Sequence, residues 1–138
     1  MTLDTSTYTV IESVTDNVST IEFWDNDIVY IKLKDNVQVE LEDSKKQYHL
    51  LKSRYDGINK YIILVETGID TSISKEAREF GESPESNEMT KAMAVIVKSL
   101  AHRIIINFII KFTRYQTMKM RMFDNKQKAI DWLLTFNY

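Results

Sequence analysis

Tyr61 to Val65 is an unbroken run of five apolar residues, and Ala92 to Val97 is a second run of strand length. Continuous apolar runs this short mark strands buried on both faces, and the first is the natural middle of a sheet. Upstream, Thr20 to Trp24 and Ile28 to Leu33 are β-branched and aromatic, and Asp25-Asn-Asp27 between them has turn chemistry, so the three segments form a β-hairpin. A helix is predicted from about Leu41 to Tyr55, with Tyr48, Leu51 and Tyr55 on one face below Ser44 and Asp56-Gly57 as a glycine C-cap. Glu66 to Ile73 reads as a polar loop, and Ser74 to Phe80 as a short helix capped by Ser74 or Ser72. Gly81 to Glu88, which holds the only proline, is expected to be a mobile excursion. Leu100 to Tyr115 has helix length, Met118 to Phe123 alternates, and Asp124 is expected to cap a last amphipathic helix through Leu134.

Apart from the hairpin, strands alternate with helices, an order that builds successive right-handed βα units. The expected fold is α/β: a right-handed βα superhelix with a mainly parallel sheet of about five strands, begun by the hairpin, and about four helices concentrated on one face. Residues 1–18 are rich in Thr, Ser, Asp and Asn and form either an N-terminal arm or an extra edge strand, ahead of a single domain over 19–138.

On a helix through Leu100 to Tyr115, Arg103, Asn107, Lys111 and Arg114 form one narrow polar stripe, while Ile104, Ile105, Ile106, Phe108, Ile109, Ile110 and Phe112 fill nearly everything else. That apolar arc is wider than the roughly 100° a sheet covers. Either neighbouring elements cover the remainder or a second copy of the chain does, with Ile106 and Ile110 as candidate self-association positions. The last helix packs through Ala129, Trp132, Leu133 and Phe136.

Composition narrows the chemistry. The absence of cysteine removes disulfides, thiolate catalysis and Cys-ligated zinc. Residues 1–97 carry 10 basic against 18 acidic groups, and residues 98–138 carry 8 against 2, so the net charge of −2 hides two halves that attract each other. Lys111, Arg114, Lys119, Arg121, Lys126 and Lys128 lie among aromatic residues, but a sequence pI of 5.7 is far below that of a nucleic-acid-binding domain. His49 and His102 lack a second ligand at metal spacing, so neither a metal nor another cofactor is expected. Met1 to Tyr8 has neither the basic region nor the apolar core of a secretory signal, and the apolar runs are too short to span a bilayer, so a cytoplasmic location is expected.

The loop Glu66 to Ile73, the segment Ser74 to Phe80, Ala94 to Val97, Asn107-Phe108 and the ending Phe123, Ala129, Trp132 and Leu133, in that order, resemble the STAS-like family. Within it they are similar to a branch of small, uncharacterised bacterial domains related to anti-sigma factor antagonists. The resemblance covers residues 19–134 and implies no enzyme activity. It implies a module that binds proteins, as STAS relatives do, while some relatives bind nucleotides or other small ligands and related folds bind lipids. In the antagonists a Ser or Thr at the start of the second helix is phosphorylated by a partner kinase. The equivalent loop here offers Thr71, Ser72 and Ser74 as candidate phosphorylation sites but lacks the Asp-Ser-Ser-Gly-Leu arrangement of that switch. Where the related branch leads one to expect a proline before the last strand, this chain has Tyr115-Gln-Thr-Met118.

The physical argument points to the same loop, because open α/β sheets bind ligands beyond the carboxyl ends of their strands. Thr67, Gly68, Thr71, Ser72, Ser74 and Arg78 are therefore the candidate binding residues. Four of them also have a structural alternative: Ser72 or Ser74 as a helix cap, Gly68 as a supplier of positive φ, and Arg78 as the partner of a nearby acid. Glu76 and Glu79, without a pocket or base, do not make an acid–base pair. The leading expectation is a non-enzymatic module that binds a protein partner or itself through this loop and the second helix. Its alternative is a small-ligand or lipid-binding domain with an apolar cavity near the third helix and Gly81 to Glu88.

Overall fold

In the computed structural model, which describes residues 7–97 and 118–136, the Asp25-Asn-Asp27 turn joins β2 (Ser19–Trp24) to β3 (Ile28–Leu33) in antiparallel register, Ile21 opposite Ile31. Asp27 adopts φ 71°, a left-handed conformation that a short polar side chain tolerates, and its N–H donates to the Trp24 carbonyl at 3.2 Å. Residues Val10–Thr15 form β1, an edge strand antiparallel to β2 with an irregularity between Val10 and Glu12.

The next elements are β4 (Gln38–Val39), α1 (Leu41–Ser53), β5 (Tyr61–Glu66), β6 (Ser72–Ile73), α2 (Lys75–Gly81) and α3 (Pro84–Asn87). Then come β7 (Thr90–Ile96), β8 (Lys119–Phe123) and α4 (Lys126–Leu134). Among the described residues the main sheet has six strands in the order β1-β2-β3-β5-β7-β8, parallel from β3 onward, while β4 and β6 pair in parallel beside it. This is the expected mixed α/β sheet begun by a hairpin, with β1 as its sixth strand. The segment Leu100 to Tyr115, with Ile106 and Ile110, lies outside the described residues.

Side-chain parity in the strands divides the core into two layers. Val29, Ile31 and Leu33 of β3 and Ile63 of β5 pack with Tyr48 and Leu51 of α1 and Ala77 of α2. Ile28 and Tyr30, Ile62 and Leu64, and Ala92, Ala94 and Ile96 face the other way, onto Ala129, Ile130 and Leu133 of α4. The alanines of β7 let α4 approach the sheet closely. The continuous apolar runs are thus strands packed on both sides, as their lack of alternation requires.

Three local features differ from the sequence reading. Helix α1 ends at Arg54 rather than at a glycine cap, because Asp56 draws the chain into a separate turn by accepting from the Ile58 and Asn59 N–H groups, both at 2.8 Å; Gly57 sits inside that turn at φ 84°. Gly81 to Glu88 holds the helical turn α3. Ser83 caps it, and Asn87 Nδ2 donates to the Gly81 and Ser83 carbonyls, both at 2.8 Å. At α4 the cap is Asn125, one residue after Asp124; its side chain accepts from the Lys128 N–H at 3.0 Å, the distance an N-cap side chain needs to reach the N3 amide.

The packing face of α4 differs too. Ile130 joins Ala129 and Leu133 in the core, whereas Trp132 is only half-buried, against Phe123 and Phe136. Leu133→Ala should therefore cost about 2–5 kcal/mol, and Trp132→Ala less, about 1–2 kcal/mol, since part of the indole stays in water. Urea midpoints of the two variants test this ordering, and a reversed order would place the tryptophan, not the leucine, in the core.

Candidate functional site

The chain leaves β5 at Glu66 and is at once stitched to the connection that follows β3. The Thr67 hydroxyl, buried, donates to the Ile96 carbonyl at 3.1 Å. Gly68 then passes so close to its neighbours that a Cβ there would lie 2.6 Å from the Lys34 carbonyl oxygen, 2.7 Å from Asp35 Oδ1 and 2.7 Å from Thr71 Oγ1. Close approach, not positive φ, is why this position is glycine, and the left-handed residue of the loop is Asp70 at φ 57°. The Ile69 N–H donates to Asp35 Oδ1 and its carbonyl accepts from the Asn36 N–H, both at 2.8 Å.

The Thr71 hydroxyl donates to the Lys34 carbonyl at 2.9 Å, and the short β4–β6 pairing extends the seam with the Ser72 N–H on the Val37 carbonyl at 3.0 Å. Ser74 is the cap of α2, accepting from the Ala77 N–H at 3.1 Å. Of the hydroxyls the sequence singled out, those of Thr67, Thr71 and Ser74 belong to buried residues and serve the loop's own framework. Ser72 is exposed, and Ile69 in the same loop is 63% exposed. Arg78 points the other way: its Nε is buried and has no hydrogen-bond partner.

Sequence reasoning missed two further constellations. On the α4 face the Tyr30 hydroxyl donates to Glu66 Oε1 at 2.8 Å, and Lys32 Nζ lies 3.7 Å from the other carboxylate oxygen. Burial, then the hydrogen bond to Glu66 and that carboxylate's charge, pushes the Tyr30 phenol far above the usual tyrosine range. Lys126 Nζ lies 4.4 Å from the centre of the same ring. The only trace of this cluster in the sequence is the polar residues at even-numbered positions of otherwise apolar strands.

The second is a cleft of about 520 Å3 at the amino ends of the parallel strands, opposite the loop, walled by Trp24, Ile28, Tyr61 and the turn after α1. Arg54 and Asp56 in its wall are engaged within the fold. Arg54 Nε donates to Glu12 at 2.7 Å, which holds the Glu12 carboxyl below its usual range, and the Asn59 and Ile58 N–H groups do the same for Asp56. His49 is exposed against the edge of Tyr48, and among the described residues no group of three or more His, Asp or Glu side chains could hold a metal ion. Among the same residues no helix is long and apolar enough to cross a membrane.

A family model described as a domain of unknown function, DUF7793, matches residues 22–137. Among solved structures, the chain is similar to an uncharacterized protein of the DUF3478 family with a SpoIIAA-like fold from Shewanella loihica PV-4. The match has a TM-score of 0.59 at 16% sequence identity and covers 96% of this chain and 98% of that one. No curated protein matches the chain. The shared architecture makes this a SpoIIAA-like, and so STAS-like, fold.

Proposed function

The chain belongs to the DUF7793 family, and from that premise we propose that it is a non-enzymatic interaction module, docking a protein partner or a second copy of itself through the loop Thr67 to Ser74 and α2. The observation that carries this reading is a rigid ridge with an apolar tip. Five hydrogen bonds to residues 34–39 hold residues 69–74 in place, yet Ile69 projects 63% exposed. A preorganised loop pays little ordering entropy on binding, and burying one isoleucine contributes about 1.5–3 kcal/mol. The hydroxyls of Thr67, Thr71 and Ser74 are committed to backbone groups rather than aimed at a base, which favours binding over catalysis.

Ser72 is the candidate phosphorylation site that this ridge presents to a kinase, and a phosphate in the same loop as Ile69 would oppose docking of the loop on an apolar surface. Phosphorylation at Thr71 or Ser74 requires the loop to open first. A chain without cysteine suits the cytoplasm, where such a module would act.

Ile69→Asp tests the reading, with Ile58→Asp, at a still more exposed isoleucine outside the loop, as control. In capture from native cells with quantitative mass spectrometry, a partner is expected whose retention falls about tenfold or more with Ile69→Asp alone. Sedimentation of the pure chain extends the test to self-docking. Identical retention and identical mass for wild type and both variants would overturn the proposal. Both substitutions lie in water and should leave the unfolding midpoint within about 0.5 kcal/mol of wild type.

A further inference from the structure

Between α1, α2 and the sheet lie two adjoining cavities of about 150 and 170 Å3. They share walls at Ile31, Ser44, Gln47, Met93 and Met120. Together they reach the roughly 300 Å3 at which small-molecule pockets begin. Tyr48 lines the smaller and Arg78 the larger.

These two side chains hold the only buried polar side-chain atoms among the described residues that lack a hydrogen-bond partner, Tyr48 Oη and Arg78 Nε. Tyr48 is 6% exposed, so its hydroxyl has left water with nothing in exchange. Folded chains rarely leave such groups unpaired, so each calls for a partner. Both stand on helices that pack against each other, α1 and α2, over walls that are mostly apolar, with Met89, Met93 and Met120 among them and Ser44 and Gln47 as shared polar positions. Methionine adapts to guests of irregular shape.

We propose that the two cavities form one binding site for an apolar carboxylic acid. Its carboxylate accepts from the Arg78 Nε–H and from the Tyr48 hydroxyl, and its chain lies along Met93 and Met120. The chemistry excludes two neighbouring classes: a hydrocarbon leaves both donors unpaired, and an organic ammonium meets the Arg78 cation. The site stands independently of the docking reading, since its test involves no partner protein.

Isothermal titration of the full chain with octanoate, octanol and octylamine tests the assignment. Octanoate should bind saturably at one per chain, octanol about tenfold or more weaker, and octylamine not at all. Tyr48→Phe keeps the ring but removes the orphan hydroxyl. It should weaken octanoate several-fold while raising the ligand-free Tm by about 3 °C, a combination that a purely structural tyrosine would not give. Arg78→Gln should erase the preference for octanoate over octanol. Absence of saturable octanoate binding overturns the proposal, as does equal binding of all three probes. If Arg78→Gln fails to fold, the Tyr48→Phe result and the octanoate-to-octanol ratio in wild type decide.

Discussion

Replacing Trp24 by alanine is expected to cost about 3–5 kcal/mol, the largest single loss we anticipate. Trp24 is 2% exposed at the end of β2, with the Tyr8 ring stacked on it at 3.6 Å and 11° and Tyr30 tilted against it at 5.1 Å. Its indole N–H donates to Glu22 at 2.9 Å, so the polar end of the side chain is satisfied where it is. Truncation opens a cavity beside Ile28 and Ile62 and leaves Tyr8, which precedes β1, with nothing to stack on. Trp24→Phe should recover part of the loss, since a smaller ring still meets Tyr8. Urea denaturation measures both, and an alanine variant within about 1 kcal/mol of wild type would show that α4 and β3 hold this layer without the tryptophan.

The second large effect is expected at Gly68. A methyl group there meets the Lys34 carbonyl oxygen at 2.6 Å, and because that oxygen is backbone it has no rotamer by which to withdraw. The loop itself has to shift. Gly68→Ala should cost about 1–3 kcal/mol and loosen the seam to residues 34–37. Amide hydrogen exchange gives the more telling readout: the Ile69 and Asn36 N–H groups, bonded to Asp35 Oδ1 and the Ile69 carbonyl, should lose protection while Ile63 and Leu64 in β5 keep theirs. Loss of protection throughout β5 instead would make Gly68 a residue of the whole sheet. On the docking proposal, the same variant also weakens partner retention without touching Ile69.

Much of this architecture was legible along the chain because its signals are local. The run Tyr61 to Val65 identified a doubly buried strand, Asp25-Asn-Asp27 a hairpin turn, and Ser72 or Ser74 a helix cap, of which Ser74 is the one, and each of these depends on residues within a few positions of one another. The misreadings are near misses between competing local chemistries. Asp124 and Asn125 are both good caps, and only the path of the chain out of β8 selects Asn125. Asp56-Gly57 carries the composition of a C-cap, yet Asp56 makes its own turn with Ile58 and Asn59.

The candidate site was legible in place but not in direction. Sequence position locates Thr67, Thr71 and Ser74 after the central strand. The direction of a hydroxyl depends on the Ile96 and Lys34 carbonyls, 29 and 37 residues away. The cavity under α2 is less legible still, because Tyr48, Arg78, Met93 and Met120 come from four separate elements and share no spacing.

The pattern of apolar and polar positions by itself determined that this chain builds a parallel α/β sheet begun by a hairpin, since strand and helix periodicities are written over single turns and single strands. Which hydroxyls face inward, why residue 68 has no side chain, and that two polar atoms lie unpaired beside an apolar hollow were decided only by the tertiary structure. Each of these depends on what a distant segment places within about 3–4 Å, the range over which hydrogen bonds and van der Waals contacts act.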